Sequence, residues 1–191
     1  MYGALLGDGR LYELLQHCDE DLAAEQRALG CPRCGGVLHW ACYPRKPRGV
    51  PRELIPGYGR RLSFCCARGE CRKRATPPSV RFLGPKVYLA AVVVLIAALR
   101  CGPTPARMRT LEELVGVNRR TIVRWRAWWT EALLDTPFWR AAAGGLMPPV
   151  PTAELPAALL ERFAGAARDR LASLLRWVSP LTTGSAAVHV S

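Results

Sequence analysis

Three observations predict an α+β protein. Two cysteine pairs lie about thirty residues apart, short β-branched and aromatic stretches fall between them, and the second half is dominated by helical apolar periodicity. The expected architecture is a short β-hairpin unit clamped at the cysteines, followed by a mostly helical body. Composition divides the chain into an N-terminal helix (1–30), a hairpin unit with a basic loop (31–82) and a helical domain (83–142). A linker (143–155), a C-terminal amphipathic helix (156–180) and a flexible tail (181–191) complete it.

The bulk composition narrows the class of partner. Half of the 191 residues are hydrophobic and 22% are charged, which excludes broad disorder. The formal net charge of +12 is carried mostly by arginine. A surplus of that size calls for a polyanion, and guanidinium forks suit nucleic acid better than a lipid surface. Eight cysteines are present, but Met1–Arg10 has no basic segment leading into an apolar core, so no signal peptide is expected. Outside a secretory context, paired cysteines point to metal rather than disulfides. The longest apolar run, Val87–Leu99, is too short for the roughly twenty residues of a membrane span. The expected location is the bacterial cytoplasm, associated with the nucleoid.

Taken in order, Gly9–Leu29 reads as an amphipathic helix. Leu11, Leu14, Leu15, Cys18 and Leu22 form one stripe, Asp19, Glu20, Asp21 and Glu25 lie on the wetter side, and Gly30 stops it. Val37–Tyr43 and Arg60–Cys65 read as strands around a Pro- and Gly-rich excursion. Between Pro44 and Arg81 there are eleven Arg or Lys residues and two acids, Glu53 and Glu70. Pro77 and Pro78 are expected to form a linker. Lys86–Arg100 is apolar on every side, which predicts a buried helix. Thr110–Val115 is a short helix with Thr110 and Glu113 at capping-box spacing, Gly116 turns the chain, and Asn118 caps a helix running to about Leu134. From Pro156 to Val178 the stripe Leu160, Phe163, Ala167, Leu171, Leu174 and Val178 predicts a helix packed on a core or on a second copy, a possible homodimer contact.

The cysteines carry the first site. Closed structural zinc sites commonly use four thiolates in a tetrahedron. Cys31-Pro-Arg-Cys34-Gly offers one pair with the small residues that a tight knuckle requires. In the second cluster Cys65 and Cys66 are adjacent and point to opposite faces of a strand, so one of them serves with Cys71. Cys66 is preferred, leaving Cys65 in the small core, but the choice between them stays open. His39 and Cys42 are spare donors. The expected cofactor is structural zinc, held by Cys31, Cys34, Cys66 and Cys71 with no open position for chemistry.

The second site is a helix-turn-helix over Thr110–Trp129. On its second helix Ile122, Trp125, Trp129 and Leu133 share one face, which must be the core side. Arg120 and Arg124 lie opposite, flanked by Val123 and Ala127. Arginine forks suit the guanine edge and small apolar groups suit thymine methyls, so these four are the expected base readers. Arg119 and Arg126, nearer the core edge, suit phosphates. Arg45, Lys46, Arg48, Arg60, Arg61, Arg72, Lys73, Arg74 and Arg81 are expected to line a DNA backbone as well.

Cys31-Pro-Arg-Cys34-Gly35, then Cys66-x4-Cys71-Arg72-Lys73-Arg74, resembles the zinc ribbon at the N-terminus of many bacterial insertion-sequence transposases. Arg120-Thr-Ile-Val-Arg-Trp125 is similar to their helix-turn-helix segments. The likeness spans roughly Gly30–Leu134. It implies a double-stranded DNA partner at the ends of a mobile element. Such transposases continue into an RNase H-like domain with three metal-binding carboxylates. The acids after Leu134 (Asp135, Glu154, Glu161 and Asp169) lie in linker and helix contexts that cannot form one. The expectation is therefore a non-enzymatic accessory factor of transposition or recombination, with catalysis on a recombinase or transposase chain. A transcriptional regulator would use the same residues. A zinc ribbon docked on structured RNA would instead rely on stacking by Trp40, Tyr43 and Tyr58.

Overall fold

The computed structural model describes residues 5–45, 56–83, 88–98 and 118–183, together with Thr104, Arg109, Glu113 and Gly116. The chain is α+β, with a small sheet unit followed by helices, as predicted.

Helix α1 spans Gly9–Leu29 with the predicted bounds. The Asp8 carboxylate accepts from the Arg10 N–H at its start, and Gly30 closes it with φ +78°. A Cβ at Gly30 would stand 2.9 Å from the Gly35 carbonyl oxygen, so both conformation and space demand glycine here. The helix buries Leu11, Tyr12, Leu15, Leu22 and Ala23. It also buries Asp19, which amphipathic spacing had placed on the wet side.

Three short strands form an antiparallel sheet in the order β1–β4–β5: β1 is Leu38–Trp40, β4 is Phe64–Cys66 and β5 is Arg74–Ala75. Leu38 faces Cys66, Trp40 faces Phe64, and Phe64 in turn faces Ala75. The two-residue alternation of a strand turns Leu38, Phe64, Cys66 and Ala75 inward, where they form a small core with Ala23 and Cys31. A second ladder pairs β2 (Tyr43–Pro44) with β3 (Arg60–Arg61). The third strand was not foreseen, because two residues carry no readable alternation.

Pro77 and Pro78 are not a linker. Pro77 is buried and its carbonyl accepts a 2.6 Å hydrogen bond from Arg61 Nη2. Ser79, Val80, Arg81 and Phe82 are also buried. Strand β6 (Phe82–Leu83) then pairs with β7 (Tyr88–Leu89), so the apolar helix begins later than predicted. That helix, α2, is Ala90–Ala97, and all eight residues are buried.

Of the predicted first helix of the helix-turn-helix, residues 110–115, only Glu113 lies among the described residues, and it is helical. Gly116 takes φ +63°, the left-handed turn that the motif requires. Helix α3 is Arg119–Ala127, capped by Asn118, whose Oδ1 accepts from the Thr121 N–H at 2.9 Å. A π-helical turn, Trp128–Ala132, carries it on to Leu133. An unpredicted helix α4, Pro137–Ala142, follows, with the Thr136 hydroxyl accepting from the Trp139 N–H.

The expected C-terminal helix is two. Helix α5 (Ala157–Leu160) and α6 (Ala167–Val178) are separated by a turn with Gly165 at φ +97°. Helix α6 buries Leu171, Leu174, Leu175 and Val178 in the chain's own core, against α1 and α2. Of the predicted apolar stripe, Leu160, Leu171, Leu174 and Val178 are buried in this core, and Phe163 and Ala167 are half-buried.

The main core runs from Leu11 through α2 and the three tryptophans Trp125, Trp128 and Trp129 to Leu181. It crosses the predicted boundaries at 30, 82 and 142, so those segments share one interior. A buried polar joint ties the sheet unit to that interior. Asp19 accepts from Ser79 Oγ (2.6 Å), the Val80 N–H (2.6 Å) and Arg81 Nε (2.8 Å). Arg81 donates onward to the carbonyls of Tyr58 (2.8 Å) and Arg60 (2.9 Å). At its far end, the Ser79 N–H donates to Thr182 Oγ1 at 2.8 Å.

Candidate metal centre and basic surfaces

Two similar turns bring the cysteines together. In the first, the Gly35 N–H donates to the Cys31 carbonyl (2.8 Å) and the Cys31 N–H to Gly36 (2.9 Å). In the second, the N–H groups of Cys71 and Arg72 both donate to the Arg68 carbonyl, and Cys66 is held to Lys73 across the sheet. The residue after the second cysteine is left-handed in each, Gly35 at φ +66° and Arg72 at φ +43°. Arg72 accepts a conformation that glycine adopts without strain.

Every pair of sulfurs among Cys31, Cys34, Cys66 and Cys71 lies within 4.8 Å. Cys34 and Cys66 are 3.5 Å apart, and Cys31 and Cys71 3.8 Å. An S–S bond measures about 2.0 Å, so these are not disulfides. A tetrahedral ion with sulfur ligands at about 2.3 Å has sulfur–sulfur edges of about 3.8 Å. The four thiols fit such an ion.

The preference for Cys66 over Cys65 holds in the geometry. Cys66 is fully buried in the cluster, whereas Cys65 turns to the other side of β4 and its thiol meets the Arg72 carbonyl at 3.4 Å. It does not sit in the small core, as expected, but on the sheet's outer face. His39 pairs with Cys65 on that face and is exposed, and Cys42 meets the Ser63 carbonyl at 3.9 Å. Neither reaches the cluster. The backbone N–H of Arg33, assisted by that of Cys34, holds the Cys31 thiol down at about 7 against its burial. Burial instead pushes Cys66 up to about 12. A metal ion must displace protons from this site to enter it.

The predicted phosphate contacts divide. Arg60, Arg72, Lys73 and Arg74 are exposed. Arg74 is also positioned: Nη1 donates to the Ala41 carbonyl (2.8 Å) and Ser63 Oγ (3.1 Å), and its guanidinium lies 5.5 Å from the Tyr43 ring. Half-buried Arg45 lies over the same ring at 5.9 Å. Lys46 and Arg48 lie outside the described residues. Arg61 and Arg81 are corrections: they are 3% and 2% exposed, and their side chains serve Pro77, Asp19, Tyr58 and Arg60. A basic run in sequence does not distinguish a solvated arginine from one sealed against carbonyls. Arg33 and Arg68 went unremarked, yet both are exposed on the cysteine turns, and Arg68 packs over Gly36.

On α3 the two faces are as predicted. Ile122, Trp125, Trp129 and Leu133 are buried. Arg119, Arg120, Val123 and Arg124 are exposed, while Arg126 and Ala127 are half-buried. Val123 presents 58% of its surface, and Arg124 Nη2 donates to Thr121 Oγ1 at 3.3 Å. Among the described residues no helix is long and apolar enough to cross a membrane. No protein-family model, curated protein or solved structure matches the chain, so its function is read from the geometry of these two surfaces.

Proposed function

We propose that this chain is a zinc-dependent, sequence-specific DNA-binding protein, an accessory factor of transposition or recombination that works beside a separate catalytic chain at the nucleoid. The observation that carries the reading is the two-faced helix α3. Its inner side is anchored by tryptophans, and its outer side presents Arg120, Val123 and Arg124 together. Those side chains match the donors and methyl contacts of a major-groove reader. The left-handed turn at Gly116 and the Asn118 cap support a helix-turn-helix setting. Zinc is the ion best matched to four thiolates spaced as tetrahedral edges. As a closed structural ion it would fix the turns from which Arg33, Arg68, Arg72 and Lys73 project. Stacking on RNA is less well supported, because Tyr58 is 1% exposed.

The test is a selection of bound sequences from random duplex DNA. Arg120→Ala with Arg124→Ala should then lower affinity for the selected site by about 1–3 kcal/mol per lost base contact, with random duplex bound within about twofold of wild type. Equal losses on both DNAs would remove the base-reading role. Failure to enrich any sequence would remove the specificity.

A further inference from the structure

The outer side of α3 is not evenly held. Arg120 and Arg124 both stand exposed on it, but only one of them is tethered. Arg124 Nη2 donates to Thr121 Oγ1 at 3.3 Å, one turn back toward the start of the helix. Thr121 Oγ1 lies in turn 3.1 Å from Asn118 Oδ1, which also accepts the Thr121 N–H at 2.9 Å. The Arg120 side chain has no hydrogen-bonded partner among the described residues.

Chemistry fixes the direction of this relay. A backbone N–H only donates, so the Asn118 atom facing Thr121 is the amide oxygen, which only accepts. The Thr121 hydroxyl must therefore direct its hydrogen to Asn118, and its lone pairs are left for the donor arriving from Arg124. Thr121 is 5% exposed, so water has little access to compete for the hydroxyl.

The tether leaves the guanidinium able to read a base. A guanidinium has two two-donor edges, Nε with Nη2 and Nη1 with Nη2. Thr121 takes one of the two Nη2 hydrogens, and the other completes whichever edge remains. That edge is the fork that matches guanine O6 and N7. An arginine on a free stem loses its rotamer freedom on pairing, and beside a wrong base it can swing to a neighbour or a phosphate. A tethered one has given up that freedom beforehand, and beside a wrong base its fork stays unpaired.

We infer that Thr121, backed by Asn118, is a positioning residue for Arg124, and that the DNA site bound by this chain carries a strict guanine where Arg124 reads and a permissive base pair where Arg120 reads. The inference rests on the base-reading role proposed for α3. It makes the two arginines of that face unequal, and it gives a buried hydroxyl, which touches no DNA, control of specificity at one base pair.

The test uses the full chain and the site recovered by selection from random duplex DNA. Arg120→Ala and Arg124→Ala each mark the base pair at which discrimination disappears. In wild type, replacing the guanine at the Arg124 position should weaken binding at least about tenfold, and any change at the Arg120 position about threefold or less. Thr121→Val keeps the branched shape without the hydroxyl. It should cut discrimination at the Arg124 position about two- to tenfold, with the Arg120 position and random duplex unchanged. Thr121→Ser should restore it, and Thr121→Val should add nothing in an Arg124→Ala background. In the free wild-type chain, NMR relaxation of the arginine Nε–H groups should show Arg124 more ordered than Arg120, a readout that needs neither DNA nor a variant. Equal order of the two arginines would overturn the inference, as would equal losses in the Val and Ser variants or additive losses with Arg124→Ala. So would tighter binding by Thr121→Val, which would make the bond a latch holding Arg124 off the groove. Failure of the selection to enrich any sequence would remove the base-reading role itself, and this inference with it.

Discussion

At the scale of single residues, adjacent Cys65 and Cys66 show how much one position decides. They differ only in the face of β4 to which they turn. Cys66→Ser should release metal and unfold the sheet unit, whereas Cys65→Ser should keep one metal ion per chain; metal analysis with circular dichroism reads both. Proton competition gives a second expectation. The Arg33 backbone N–H holds the Cys31 thiol down at about 7, so a thiol that is largely ionised at about pH 8 must give up a proton to bind a metal at about pH 6. Apparent metal affinity should fall as pH falls across that range, with more protons released per ion bound at the lower pH. Calorimetry in buffers of different ionisation enthalpy measures this, and flat proton release would refute the assignment.

At the scale of elements, much was readable where a segment has a long period. Helix α1 carries an apolar stripe over about three turns, Leu11 to Leu22, before a glycine stop, and its bounds emerge to the residue. The core face of α3 was equally plain, because tryptophans at helical spacing leave no other side to bury. Asn118 is the hinge of that reading: its side chain satisfies a helix-start N–H that otherwise lacks a partner. Asn118→Ala should therefore cost about 1 kcal/mol of stability. Thermal melting compared with Asn118→Asp, which keeps the acceptor, checks it. What was not readable were elements made by long-range pairing. Two-residue strands such as β5 and β7 have no period of their own and exist because a partner strand is present. The break near Gly165 was missed because the apolar stripe keeps its spacing across the interruption.

At the scale of the whole molecule, the misread residues are the ones that join units. Asp19 was assigned to the wetter side of its helix and Arg81 to a DNA backbone, both on the rule that charged side chains face out. Sixty-two positions apart, they instead meet in the interior, where carbonyls and a hydroxyl complete their hydrogen bonding. No local pattern encodes that meeting. Removing one partner leaves the other charge buried and unpaired, so Asp19→Ala should destabilise the chain by about 3–5 kcal/mol. Chemical denaturation should show the loss, and Asp19→Ala with Arg81→Met should recover part of it. No recovery would mean that the two residues act separately.

Helix α1 contributes Leu22 to the main core and the next residue, Ala23, to the core beneath the cysteine cluster. One rod thus serves as a wall of both rooms. The cysteine unit is consequently not a detachable module. A fragment begun at Cys31 would leave Asp19 and Ala23 behind, and a cut at Pro77 would part Arg81 from the strands it holds. Transplanting the four-cysteine segment to another protein would require carrying this helix with it.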